Sequence, residues 1–295
     1  MSASEPSLSV NAGISKLKLT FFGAGSMAEA IARGLLERGL TLPGQISMIN
    51  RHNQDRLKEL HDRYHVITPS TEEAKQQSLE EADIIFLAMK PKDAQDALLQ
   101  LKHFVQPRQL VVSLIAGLSI RTIEQLLEAR IPVVRTMPNT SSTIGLGATG
   151  ICYSDSVDGQ LRTLSEEIFQ SVGITAIVEE EKLLDAVTGV SGSGPAYIYY
   201  LMEAMIDAGK KLGLDDESAR TLTIQTVLGA ANMVKSTGEE PAELRRKVTS
   251  PNGTTQAAIE LLNSHHVSEA IGKAIFRSAE RAAELGAMIE GGSKG

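Results

Sequence analysis

The amino-acid sequence predicts an α/β fold in its first half, a mainly parallel sheet with helices on its faces, followed by an all-helical second half. Three observations carry this reading. Between Lys16 and about residue 178, short apolar runs alternate with amphipathic helical stretches; a glycine cluster, Gly23-Ala24-Gly25, separates the first run from the first helical stretch; and past Glu179 the strand-like runs stop while apolar residues recur at helical spacing. The length agrees, since 295 residues make roughly two domains of about 150 residues each.

Residues 1–15, rich in Ser and Ala and without sustained periodicity, read as a mobile leader. The expected strands are Leu17 to Phe22, Gln45 to Asn50, His65 to Thr68, Asp83 to Met89, Gln109 to Ile115 and Pro132 to Thr136. Ala148 to Tyr153 and Ile174 to Val178 would extend the sheet at one edge. The first helix is expected from about Ser26 to Glu37. The acidic run Glu179-Glu180-Glu181 marks the expected boundary, giving an α/β domain over residues 16–178 and a helical domain over 179–295. In the helical half, Ile198, Leu201, Met202, Met205 and Gly209 repeat at i, i+3, i+4 and i+7, and Ile224, Val227, Leu228 and Ala231 do the same. Such stripes build a core or a subunit interface. No internal repeat of solenoid length is found.

Composition narrows the function. Hydrophobic residues at 42% and charged residues at 22% describe an ordinary globular chain, and a net charge of -7 leaves no basic field for nucleic acid or an anionic membrane. Partners are therefore expected to be small molecules or copies of the same chain. No apolar stretch reaches the roughly 18 to 20 residues of a membrane span, and Met1 to Ser15 lacks the features of a signal peptide. The one cysteine, Cys152, forms no intrachain disulfide, which suits a reducing, cytoplasmic setting. No activating neighbour is recognisable, so it reads as structural. The adjacent His265-His266 pair is not metal spacing, and no metal is expected. Trp is absent and aromatics are 4%, whereas there are 25 glycines. Such cores must close by bringing backbones and small aliphatics together.

The segment Phe22-Gly23-Ala24-Gly25-Ser26-Met27-Ala28 has the G-x-G-x-x-G/A pattern in its Ala form. Gly23 permits the tight turn, Gly25 lets backbone approach a pyrophosphate, and Ala28 keeps helix and strand close. The anion would rest at the helix start, on Gly25, Ser26 and Met27. The competing reading is a plain strand-to-helix turn; the position after the first strand of a βαβ unit favours a Rossmann dinucleotide site. The second strand ends Ile49-Asn50-Arg51-His52 without the acid that would bind a ribose 2′-hydroxyl, and Arg51 could pair with a 2′-phosphate. NADPH is thus favoured, with NADH weaker, against the alternative that Arg51 is a solvated loop charge. Further strand ends carry Ala88, Lys90 and Pro91, then the small Ala116 and Gly117, then the Asn139 amide, each with an ordinary turn as the alternative.

Two glycine-bearing breaks interrupt the helical half. Val190 to Tyr197 (Val-Ser-Gly-Ser-Gly-Pro-Ala-Tyr) lacks the Lys-Ser/Thr ending of a phosphate loop, and its Pro195 fits the start of a helix. Val248 to Thr255 (Val-Thr-Ser-Pro-Asn-Gly-Thr-Thr) precedes a helix containing Ala257, Ala258, Leu261 and Leu262. Its backbone amides and the hydroxyls of Ser250, Thr254 and Thr255 suit a small carboxylate, or else form a capped loop.

Taken together, Gly23-Ala-Gly-Ser-Met-Ala28, Leu87-Ala-Met-Lys-Pro91, Arg135-Thr-Met-Pro-Asn-Thr140, Ser191-Gly-Ser-Gly-Pro-Ala-Tyr197 and Val248-Thr-Ser-Pro-Asn-Gly-Thr-Thr255 resemble the pyrroline-5-carboxylate reductase family, from about Lys18 to about Ala283. The resemblance implies a Rossmann domain followed by a helical dimerisation domain, homodimers that commonly assemble into rings, and NADPH-dependent reduction of L-1-pyrroline-5-carboxylate to L-proline. It also implies that Thr255 hydrogen-bonds the ring nitrogen, while Ser250 with the amides of Gly253 and Thr254 holds the carboxylate. The active site would form between lobes, joining two chains of the dimer. Two departures stand out. Asn252 replaces a family glycine, a change that a left-handed conformation tolerates, and a family Asn near the cofactor's adenosine side has no match around Pro69 to Ala74, where a small insertion lies. The alternatives are a related reductase of another small imino or oxo acid, and a non-catalytic NADP-binding regulatory paralogue.

Overall fold

The computed structural model describes residues 13–292. The leader expected at residues 1–12 lies outside the described residues. Its last part is corrected: Ile14–Lys16 form a 3-10 turn that buries Ile14, and Leu17 behind it, in the core.

The first half is a seven-stranded sheet. Strands β1 (Leu19–Phe22), β2 (Ile46–Ile49), β3 (Ile84–Leu87), β4 (Leu110–Ser113), β5 (Val133–Met137), β6 (Gly147–Tyr153) and β7 (Gly173–Ile177) lie in the order β2-β1-β3-β4-β5-β6-β7. The first five are parallel, β6 runs antiparallel to β5, and β7 is parallel to β6. The expected strand at His65 to Thr68 is corrected to a single bridge between Ile67 and Ser47. It is hemmed in by His65, which caps a helix in the left-handed region at φ 58°, and by Pro69, which has no N–H for a ladder.

The first four strands are mainly apolar because both faces are covered. Leu19, Phe21, Ile84, Phe86, Leu110 and Val112 pack on one face with α1 (Ser26–Glu37), α2 (Gln54–Tyr64) and later α6 (Gly159–Gln170). Phe21 and Phe86 stack with centroids 4.3 Å apart. Ile85, Leu87, Val111 and Val133 face the other way, towards α3 (Glu72–Glu80), α4 (Ala94–Leu101) and α5 (Ile120–Leu127). Chain order reverses at β1, with β2 on one side and β3 on the other, which places a crevice at their carboxyl ends.

Two compact units divide the chain: one runs up to Gly192 and resumes at Arg277, the other is Ser193–Phe276. This division by contacts falls later in the chain than the boundary expected at Glu179. The short α7 (Leu183–Val187) and the π-helical turn Thr188–Gly192 belong to the sheet, because buried Arg135 on β5 pairs with Glu181 at 2.8 Å and with Asp185 at 3.4 Å. In the second unit lie α8 (Gly194–Lys211, with Pro195 in its first turn as expected), α9 (Asp216–Thr237), α10 (Pro241–Lys247) and α11 (Thr254–Ser264). The last helix, α12 (Val267–Gly292), contributes its residues from Arg277 to the first unit. Only Ala219 and Thr223 of the second unit are buried, and Ile198, Leu201, Leu228, Leu261 and Phe276 are exposed.

Candidate active site

The crevice at the ends of β1, β2 and β3 is a cleft of about 540 Å³ whose floor is Phe22, Gly23, Ile49 and Ala88. Gly23 adopts φ 118°, and a Cβ there would stand 2.4 Å from the Ala88 carbonyl oxygen, so the turn is open to glycine alone. Its N–H donates to the Ile49 carbonyl at 2.9 Å, and the Ala88 N–H donates to Phe22 at 2.9 Å. The turn is therefore tied to both neighbouring strands. Gly25 caps α1 with extended backbone, carries no capping side chain, and has no atom within 4 Å of where its Cβ would be. That vacant cradle at a helix start suits a pyrophosphate.

The loop after β2 is shaped by Asn50, whose side-chain carbonyl accepts from the N–H groups of His52 and Asn53, both at 3.1 Å. Asn53 then caps α2 by accepting from Arg56 at 2.9 Å. This turn leaves Arg51 exposed at the cleft, with no ion pair among the described residues. Arg56 ties α2 to the glycine turn, donating to the Ala24 carbonyl at 3.3 Å and pairing with Glu29 of α1. Glu29 also accepts from Tyr64 at 2.7 Å and lies 3.2 Å from Arg63. Burial pushes the Glu29 carboxyl up, but Arg56, Tyr64 and Arg63 together hold it below the usual carboxylate range.

Lys90 lines the same cleft, and so do Lys75, Lys92 and His52, which sequence reasoning did not select. Lys92 stands two residues beyond the chosen Lys90, so its place at a strand end was the available signal. Lys75 had none, because which helix face meets a cleft is invisible without the fold. A glycine cradle beside an excess of cations fits a phosphorylated dinucleotide.

Other chosen residues stand apart from the cleft lining. Ser26 opens α1, Met27 leans on the core, and Pro91 starts a 3-10 turn. Ala116 is half-buried, and Gly117, at φ 78°, packs against α12, with a Cβ there lying 2.5 Å from the Ala282 carbonyl oxygen. The Asn139 amide donates to the Ser191 carbonyl at 3.0 Å and accepts from the Ala148 N–H at 3.2 Å. The side chain expected to face the cofactor fastens the π-helical turn to the sheet. Cys152 is buried, and burial with the nearby Glu181 pushes its thiol up, in keeping with a structural residue.

In the second unit, Ser250 to Gly253 joins α10 to α11. Asn252 takes φ 60°, the left-handed conformation its replacement of glycine requires, and its N–H donates to Gln256 at 2.8 Å. The hydroxyls of Ser250, Thr254 and Thr255 have no hydrogen-bond partner among the described residues, and α11 has no side-chain cap. Three uncommitted hydroxyls at an uncapped helix start can receive a carboxylate and a ring nitrogen. The Gly253 N–H donates to the Ser250 carbonyl at 3.0 Å and closes the turn. Among the described residues no group of His, Cys, Asp and Glu could hold a metal ion.

Comparison with known proteins addresses both units. Residues 181–285 match the family model for pyrroline-5-carboxylate reductase dimerisation, and residues 18–117 match that for NADP oxidoreductase, coenzyme F420-dependent. Pyrroline-5-carboxylate reductase 1 of Bacillus spizizenii is 43% identical over 273 residues, covering 92% of this chain and 91% of the relative. The Pseudomonas aeruginosa reductase is 40% identical, covering 92% and 98%. Among solved structures, the Coxiella burnetii reductase superposes with a TM-score of 0.82 at 38% identity, covering 91% and 98%. The Plasmodium falciparum pyrroline carboxylate reductase, with NADP bound, gives 0.83 at 28% identity, covering 93% and 100%. A likeness of this extent, reaching from the glycine turn of β1 through the hydroxyl loop before α11, means that the chain belongs to the pyrroline-5-carboxylate reductase family.

Proposed function

We propose that this protein reduces L-1-pyrroline-5-carboxylate to L-proline with NADPH, the last step of proline biosynthesis. The observation that carries this is the family membership, which embraces both the glycine cradle and the loop of free hydroxyls. Bound NADPH supplies a hydride from nicotinamide C4 to the imine carbon of the substrate. Gly23, Gly25 and the start of α1 would seat the pyrophosphate, and Arg51 would meet the 2′-phosphate, leaving NADH the weaker donor. Lys90 adds positive charge to the same cleft.

Thr255 would hydrogen-bond the ring nitrogen, and Ser250 with the Thr254 amide would hold the substrate carboxylate. A cyclic imine is protonated in solution near neutral pH, so these residues serve mainly to orient and to place charge. Free Ser and Thr hydroxyls suit that division, and none of the six His residues sits in a recognisable catalytic motif. We also propose a homodimer through the helical domain, assembling further into rings. The exposed Ile198, Leu201, Leu228, Leu261 and Phe276 support a covering partner. A cytoplasmic setting and small-molecule partners, with neither nucleic acid nor membrane, accord with the net charge of -7, and no helix among the described residues is long and apolar enough to cross a membrane.

The test is NADPH oxidation by purified protein given pyrroline-5-carboxylate, beside a panel of other cyclic imines and 2-oxo acids. Turnover highest on pyrroline-5-carboxylate is expected. A preference for another imine or oxo acid, or no oxidation with any of them, would overturn the assignment.

A further inference from the structure

We propose that Lys75 is a specificity-determining residue for the 2′-phosphate of NADPH, an inference that rests on the NADPH reading of the cleft above. The side chain reaches the cleft from α3 and lines it together with Asn50, Arg51 and His52 of the loop after β2. In a Rossmann sheet the ribose 2′ position is read at the end of the second strand, whereas the pyrophosphate belongs at the glycine turn. The lysine thus shares a wall with the ribose end.

Its surroundings call for another anion. The Lys75 side chain is 14% exposed, and its ammonium has one acceptor, the Glu72 carboxylate at 2.6 Å. An ammonium carries three donors, so further donors remain for an anion at the cleft. Glu72 is itself 85% exposed, so it can turn into water and yield its place to a phosphate. The cleft as a whole carries Arg51, Lys75, Lys90 and Lys92 against Glu72 and Asp93. That excess draws the phosphates of a dinucleotide, and Arg51 and Lys75 stand at its ribose end.

The position of Lys75 is fixed by the fold. Thr71 caps α3 by accepting from the Ala74 N–H at 3.2 Å, and the Ser78 carbonyl accepts from Thr20 of β1 at 2.7 Å.

The experiment titrates NADP+ and NAD+ separately into the full-length wild type, Lys75→Met and Lys75→Arg by calorimetry. Methionine keeps the apolar stem and removes the charge. Lys75→Met should weaken NADP+ binding by about ten- to a hundredfold and leave NAD+ within about twofold, as loss of a charge-assisted bond to one phosphate requires. Lys75→Arg should retain most of the NADP+ affinity. Retained NAD+ binding also shows that the variant is folded. Equal loss of both cofactors, or no loss of NADP+, overturns the role of Lys75. Failure of the wild type to bind NADP+ overturns the NADPH reading itself, a result distinct from either.

Discussion

The backbones of Gly117 and Gly286 lie in direct contact. A Cβ on Gly286 would stand 2.3 Å from the Gly117 carbonyl oxygen, and one on Gly117 would stand 2.8 Å from the Gly286 nitrogen. The loop after β4, turned by Gly117 at φ 78°, and the last helix therefore meet without side chains between them. Nearby, Glu290 of α12 accepts from the hydroxyls of Ser119 at 3.1 Å and Thr122 at 2.9 Å. In a chain without Trp, such backbone approach takes the place of large rings.

Gly286→Ala should therefore destabilise the protein. Helix propensity alone favours alanine by about 1 kcal/mol. The added methyl meets a carbonyl rather than a yielding side chain, and overpacking of that kind costs about 1–3 kcal/mol. A net loss of about 1–2 kcal/mol is expected from the urea midpoint. Gly159→Ala, where no atom lies within 4 Å, is the control and should stay within about 0.5 kcal/mol of wild type.

The two glycines of the β1 turn should separate stability from binding. Gly23→Ala forces a methyl against the Ala88 carbonyl at φ 118°, and should lower both the unfolding midpoint and NADP+ affinity. Gly25→Ala has free space and ordinary backbone angles. It should melt like wild type yet bind NADP+ at least about tenfold more weakly, because its methyl occupies the pyrophosphate approach. Calorimetric titration alongside thermal melting reads both. Unchanged affinity in Gly25→Ala would remove the cradle from the site.

Glu29→Gln should remove a pH-dependent share of the stability. The native carboxyl titrates below its ordinary value of 4.5, so the stabilisation is complete above that value and fades as pH falls through the native pKa. At pH 7 the variant should be less stable by about 1–3 kcal/mol, the range for a hydrogen bond to a charged group. That difference should shrink below about pH 4.5 and vanish in stronger acid. Urea midpoints of both proteins from pH 7 to pH 3 check it. A gap that stays constant would mean that Glu29 acts by packing alone.

Much of this arrangement is written locally. The runs ending at Phe22, Ile49, Leu87 and Ser113 are legible because strands covered on both faces are mainly apolar, and α1 is legible because glycines precede an amphipathic stretch. Gly23 and Arg51 are readable for the same reason, as residues at strand ends that line the cleft. Other features depend on contacts distant in sequence. The Asn139 amide serves Ser191, Arg135 recruits Glu181 and Asp185, and Gly117 answers to α12. Periodicity cannot reveal any of these pairings. Nor does it reveal Lys75, whose helix reaches the cleft only because Ser78 is held by Thr20. The free hydroxyls of the second unit lie between: their residue types are legible, but the turn that engages the Gly253 N–H is not.

Thr255→Ala tests that loop most directly. Thr255 is half-buried in the first turn of α11, and its hydroxyl makes no hydrogen bond among the described residues. Its loss should therefore leave the fold intact and the unfolding midpoint within about 0.5 kcal/mol of wild type. The hydroxyl is proposed to meet the ring nitrogen, where charge changes as hydride arrives, so the loss should fall on turnover more than on binding. A drop of about ten- to a thousandfold in kcat is expected on pyrroline-5-carboxylate. NADP+ affinity should stay within about twofold, because the residue lies in the second unit and not among the cleft lining. Thr255→Ser, which keeps the hydroxyl, should restore most of the rate. Unchanged turnover in Thr255→Ala, or a serine variant as slow as the alanine one, would take the hydroxyl out of the reaction.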